Sequence, residues 1–239
     1  MQNLGTLIDR IITVMPVGDW AALALFVVGW WGYAVFARRR ALVERTLLSS
    51  TNYFRRKWME QVTHRDQRIV DAAITQNLAS SPSFWASTTI LVLGGLLAVL
   101  GTNERASELV KDLPFAARTS MLVFDIKIIV LLAVFVYAFF RFTWSMRVYS
   151  FGAILVGTAP NVEVFDNGEA DRKEFAARAG KLMGMAAESF ADGLRAYYMS
   201  FAVIGWFVSP VLFVLGTVAV LAILYRREFR SDVLEVLRA

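Results

Sequence analysis

Four long apolar runs, three of them closed by arginines, constrain this chain more than any other feature. They cover about residues 20–37, 84–100, 120–140 and 198–225. A helix of roughly 20 apolar residues is what crosses about 30 Å of hydrocarbon. In lipid a helix satisfies its own backbone N–H and C=O groups, which an isolated strand cannot do. No convincing strand pattern is present. The expectation is an all-α membrane protein with four transmembrane helices and amphipathic interfacial and cytoplasmic helices. Composition agrees: 57% of the residues are hydrophobic, against about 45–50% in ordinary soluble domains.

Each run carries its own marks. Asp19 precedes the first and can cap its opening turn; Arg38, Arg39 and Arg40 end it. The second holds Ser87, Thr88 and Thr89, then Gly94 and Ala98, a small-residue pair that lets another backbone approach closely. The third contains Asp125 and Lys127 and is closed by Arg141. Apolar character resumes over 148–156, either as a continuation of that helix or as a piece along the surface. In the fourth, Gly205 and Ser209 make a second small-residue pair and Pro210 predicts a kink.

Between the spans, Phe54, Trp58, Val62, Ile69 and Ala73 mark one face of a periodic polar segment, with Arg56–Glu60 and Arg68–Asp71 at helix-neighbour spacing. A second amphipathic helix is predicted over 169–190, after the turn signal Asp166-Asn167-Gly168. Leu4, Leu7, Ile8, Ile11 and Met15 predict a short interfacial helix at the start. That stretch lacks the basic n-region and small-residue site of a secretory signal.

Net charge is +5. The basic residues sit beside apolar runs, which points to anionic lipid headgroups and away from nucleic acid. The two long connecting segments carry sixteen Lys and Arg, and the rest of the loops and termini eight. The positive-inside rule then places the long segments in the cytoplasm and both termini outside, as in a multi-pass protein of a bacterial inner or plasma membrane. There is no cysteine and one histidine, His64. No disulfide or thiolate site is possible, no metal or other cofactor is expected, and a lone histidine makes no site.

These residues resemble a known family. Asp19-Trp20 opens the first span and Gly32-Tyr33 lies near its end. Arg56, Trp58-Met59 and Arg65 follow, then Phe84-x-Ala86-Ser87-Thr88-Thr89-Ile90 with Gly94-Gly95. Lys127, Arg147, Arg195, Tyr198, Trp206, Pro210 and Leu224-Tyr225 complete the pattern. It resembles domain-of-unknown-function family 599, four-span membrane proteins of bacteria and plants, over roughly residues 15–232. The resemblance implies the architecture and no activity. Asp125 lies outside the family pattern.

Two groups of residues are candidates for function. Asp125, Lys127, Ser87, Thr88, Thr89 and Asp19 lie in or at the membrane. A charge at a helix centre costs on the order of 2.5–3.5 kcal/mol on insertion scales, so Asp125 and Lys127 need partners. Spaced by two, they point to nearly opposite sides of a helix. They could line an ion or proton path. They could instead be structural, with Lys127 reaching Asp19 and Asp125 facing a hydroxyl. The hydroxyl block could line a pore or bond back to its own helix. The second group, Arg56, Arg65, Arg68, Arg147 and Arg195, could bind anionic headgroups. It could equally pair with Asp66, Asp71 or Glu188.

No paired catalytic carboxylates or nucleophile–base constellation is visible, so an enzyme is not expected. The leading expectation is ion or small-solute transport, with a non-catalytic membrane scaffold or accessory subunit as the alternative. Four helices make a thin wall for a pore, which favours a homo-oligomer.

Overall fold

The computed structural model describes residues 14–41, 46–101 and 120–238. The interfacial helix expected at the start falls mainly outside them, as do Arg105, Lys111 and Arg118. The described residues form eight helices: α1 (Val17–Arg40), α2 (Leu47–Val62), α3 (Ile69–Gly101), α4 (Met121–Gly157), α5 (Val162–Asp166), α6 (Arg172–Trp206), α7 (Pro210–Phe229) and α8 (Asp232–Arg238). Four helical stretches are long and apolar enough to cross a membrane: Val17–Arg40, Ile69–Gly101, Met121–Gly157 and Pro210–Leu237. The protein is an all-α integral membrane protein.

The apolar piece at 148–156 continues the third span, because nothing between Phe140 and Val148 stops a helix. At 37 residues, α4 is about 55 Å long, far more than the roughly 30 Å of hydrocarbon it would cross. The chain divides into two compact units, and helices α3, α4, α6 and α7 supply residues to both, as α1 does with Arg40.

The first unit comprises Met1–Arg39, Ile90–Tyr137 and Arg195–Tyr225. Here the run 198–225, expected as one kinked helix, is two helices. Helix α6 stops at Trp206 and α7 starts at Pro210. Proline is favoured in the first helical turn, where its missing N–H is not needed. Ser209 caps α7: its hydroxyl accepts from the Leu212 N–H at 3.1 Å. Gly205 and Ser209 therefore share no helix face. Gly205 instead gives room for the turn, since a Cβ there would lie 3.2 Å from the Leu212 carbonyl oxygen.

The two arms lie antiparallel. The Trp206 ring stacks on Phe213 at 4.8 Å, and a Cβ on Gly216 would meet the Ala202 Cα at 3.2 Å. As the index falls along α6, it rises along α7. Helix α1 runs parallel to α7: Phe26 meets Phe213 at 5.1 Å, and ten residues on Phe36 meets Tyr225 at 6.3 Å. The ends of α1 and α7 therefore lie together.

The second unit comprises Arg40–Thr89, Ala138–Leu194 and Arg226–Ala239. Helix α2 opens with a capping box, in which the Thr46 hydroxyl accepts from the Ser49 N–H and the Ser49 hydroxyl from the Thr46 N–H. It ends at Val62, and α3 starts anew at Ile69. The single face expected through Ile69 and Ala73 is thus interrupted, and both residues are exposed. The core gathers Met59 and Val62 from α2, Val148, Tyr149 and Val156 from α4, and Ala176, Ala179, Met183 and Ala186 from α6. Small residues on α6 let α2 come close: a Cβ on Gly180 would be 2.9 Å from the Arg56 Cα. Two serines tie α4 to α6. Ser145 donates to the Ala186 carbonyl at 2.7 Å, and Ser189 donates to the Arg141 carbonyl at 2.8 Å. The turn at Asp166-Asn167-Gly168 forms as the signal predicts, with Gly168 at φ 74°. Helix α8 packs on α2, and the Leu48 N–H donates to Glu228 at 3.2 Å.

Candidate functional site

Helix ends explain where the buried charge of the first unit goes. The last carbonyls of a helix have no intrahelical donor, and α6 ends at Trp206, before the turn into α7. Lys127, from α4, donates its ammonium to the Trp206 carbonyl at 2.8 Å. A cation at a helix C-terminus is also favoured by the helix dipole. The same ammonium lies 4.0 Å from Asp19 and 5.4 Å from the centre of the Trp206 ring. The indole N–H of Trp206 donates to Asp19. Asp19 in turn sits in the first turn of α1, where the dipole favours negative charge. Lys127 is 1% exposed and Asp19 3%. Three helices are joined by one lysine, one aspartate and one tryptophan.

The second unit repeats the chemistry. Asp71, 0% exposed, accepts from the Trp58 indole N–H at 2.8 Å and lies 3.6 Å from Arg65. The cation is Arg65, where sequence spacing pointed to Arg68. The turn between α2 and α3 breaks the helical register that would pair Arg68 with Asp71. Arg68 instead donates to the carbonyls of Ala159 at 2.7 Å and Pro160 at 2.5 Å. A third polar layer joins α2 to α6 through Asn52 and Glu188 at 3.2 Å. Beside it Arg55 donates to Asn52 at 2.8 Å. Burial holds the Arg55 guanidinium below its ordinary value, against the pull of Tyr149 and Glu188. Arg141 is paired with Asp192.

The remaining candidates are dispersed. Thr88 and Thr89 donate to the Phe84 and Trp85 carbonyls of their own helix, at 3.0 and 2.6 Å. Ser87 is exposed, and Asp125 is half-buried on α4. Arg195 is half-buried on α6, and Arg147 is exposed on α4. Arg56 lines an open cleft with Tyr53, Lys57, Glu60 and Lys173. Sequence reasoning missed Trp206 as a partner. Its signal was its place one residue past Gly205 and four before Pro210, where a helix can end.

Residues 21–233 match the family described as "Protein of unknown function, DUF599". The chain belongs to this family. No curated protein and no solved structure matches the chain. The match covers the Asp71 cluster, Lys127, Trp206 and the cleft around Arg56, and it begins two residues after Asp19.

Proposed function

We propose that this member of the family is a non-catalytic membrane scaffold or accessory subunit, anchored by its apolar helices and working through its basic second unit. One observation carries the reading. Four of the six groups that would have made a transport path are used inside the fold: Lys127 and Asp19 on Trp206, Thr88 and Thr89 on their own helix. Purified protein in liposomes should give no flux above empty vesicles for a panel of ions and small solutes. Flux abolished by Lys127→Met in a variant that still folds would overturn it.

The same reading gives an orientation. With α6 and α7 antiparallel and α1 parallel to α7, the segment after α7 returns to the side that receives the end of α1. Arg226, Arg227, Arg230 and Arg238 then join the long connecting segments, raising the basic count on that side to twenty against four. The positive-inside rule makes that side cytoplasmic. The N-terminus is outside and the C-terminus inside. Tags at the two ends should be accessible from opposite faces of the membrane. Homo-oligomerisation fits the same role. Helix α3 is the least buried of the four apolar stretches, and its Gly94 and Gly95 have open space beside them.

A further inference from the structure

Helix α3 leaves one face uncovered along its whole length. Two interleaved series at seven-residue spacing mark that face. One runs Ala73, Ser80, Ser87, Gly94 and Gly101; the other runs Ile69, Gln76, Ser83, Ile90 and Leu97. All ten are exposed, with Ile69, Ile90 and Leu97 at 78%, 55% and 58%. Spacing of this kind keeps a seam on one side of a helix that winds around a neighbour. Every member of the first series is small, which lets the neighbour's backbone come close. Pro82, inside α3, is buried and falls on the other side, so no proline lies on the seam.

Two observations say that lipid does not complete this face. The first is a missing hydrogen bond. Ser87 lies within the apolar run, and its hydroxyl bonds to nothing among the described residues, whereas Thr88 and Thr89 beside it return theirs to their own helix. The Ser83 hydroxyl is likewise without an intrachain bond among the described residues. A hydroxyl facing hydrocarbon without a partner is unfavourable. The second is length. The 33 residues of α3 make about 50 Å of helix, against about 30 Å of hydrocarbon. The seam therefore runs past what lipid tails can cover.

We propose that this face of α3 pairs in parallel with the same face of a second copy of the chain. Copies in one membrane share an orientation, so a two-fold axis along the membrane normal sets α3 against α3 in register. Each residue of the seam then meets itself. Such a seam excludes charge, and α3 carries one charged residue, Asp71, which is buried. It also calls for polar groups that donate and accept at once, and the Gln76 amide and the serine hydroxyls do both. The Ser87 hydroxyl gains in the pair the partner it lacks within the chain. With a net charge of +5 on each copy, an uncharged face is where two copies approach with least repulsion. The proposal rests on the scaffold reading and deepens it by naming the surface through which the chain assembles.

The chain has no cysteine, so single cysteines report on single positions. The test uses the full chain in phosphatidylcholine vesicles, oxidised with copper phenanthroline. Ser80→Cys, Ser87→Cys and Gly94→Cys should each give a covalent dimer. Ser81→Cys and Gly95→Cys, turned about 100° round the helix, should give about fivefold less, because a disulfide needs the two backbones close. Single-molecule photobleaching in the same vesicles should count two copies per complex. Ser87→Leu/Gly94→Leu should lower the dimer fraction about tenfold by parting the backbones. Its melting temperature should stay unchanged, since nothing lies within 4 Å of a Cβ at Gly94 and Ser87 is exposed. Monomers at every protein-to-lipid ratio overturn the proposal, as does equal crosslinking at all five cysteines or an undiminished dimer in the leucine variant. A product in native membranes whose mass is not twice that of the chain overturns the second copy as the occupant. Flux is read separately. A monomer without flux overturns the pairing alone, and a dimer with flux that depends on Lys127 overturns the scaffold reading alone.

Discussion

Asp19 in the first unit and Asp71 in the second are held by the same pair of groups, an indole N–H and a side-chain cation. The difference lies in the cation. The Lys127 side chain is 2% exposed, whereas that of Arg65 is 42% exposed. Water can replace Arg65 and cannot readily replace Lys127. Lys127 also serves the Trp206 carbonyl, so its loss strands two groups. One arrangement is a structural joint buried among apolar helices. The other is a buried hydrogen bond with a surface ion pair attached.

The largest effect should come from removing the buried cation. Lys127→Met leaves Asp19 and the Trp206 carbonyl without it, a loss of about 3–5 kcal/mol, measured by detergent-induced unfolding in mixed micelles. If that loss is below about 1 kcal/mol, comparable to an exposed pair, the contrast between the two units fails. Next comes Trp58→Phe, which keeps the ring and deletes the donor to buried Asp71. It should cost about 1.5–3 kcal/mol by the same measurement. The double variant Lys127→Met/Asp19→Asn should lose less than the sum of its single changes, by about 0.5–3 kcal/mol, because the partners are coupled. Smallest of all, Arg65→Gln should change stability by less than about 1 kcal/mol, and raising salt should shrink even that.

The pair also shows what could be read without coordinates. Lys127 needed a partner by the cost of burial alone, and Asp19 was a candidate from the start. The α4 helix was legible as one element once Val148–Val156 was allowed to continue it. The division at Phe207-Val208-Ser209 was not, because the turn itself is made of apolar residues and Ser209. A run of hydropathy records where lipid is tolerated and carries no mark of where the backbone reverses. Only the Ser209-Pro210 step held that information, as a cap followed by a first-turn proline. Spacing pointed from Asp71 to Arg68 rather than to Arg65 for a related reason. Pairing by helical spacing assumes one helix, and a turn intervenes between Val62 and Ile69. Gly180 and the Arg56 cleft were beyond reach, because closeness between α2 and α6 joins residues more than a hundred positions apart.

The reversal after Trp206 bears on how the chain enters its membrane. The apolar tail of α6 from Ala196 to Trp206 is only eleven residues, about 16 Å of helix, too short to partition into a bilayer alone. It can be delivered only as one arm of a loop whose other arm, α7, supplies the greasy length. A ribosome therefore has to release both arms before either settles. A chain cut short before Pro210 would leave Trp206 in water, and Lys127 would face lipid without the carbonyl that receives it.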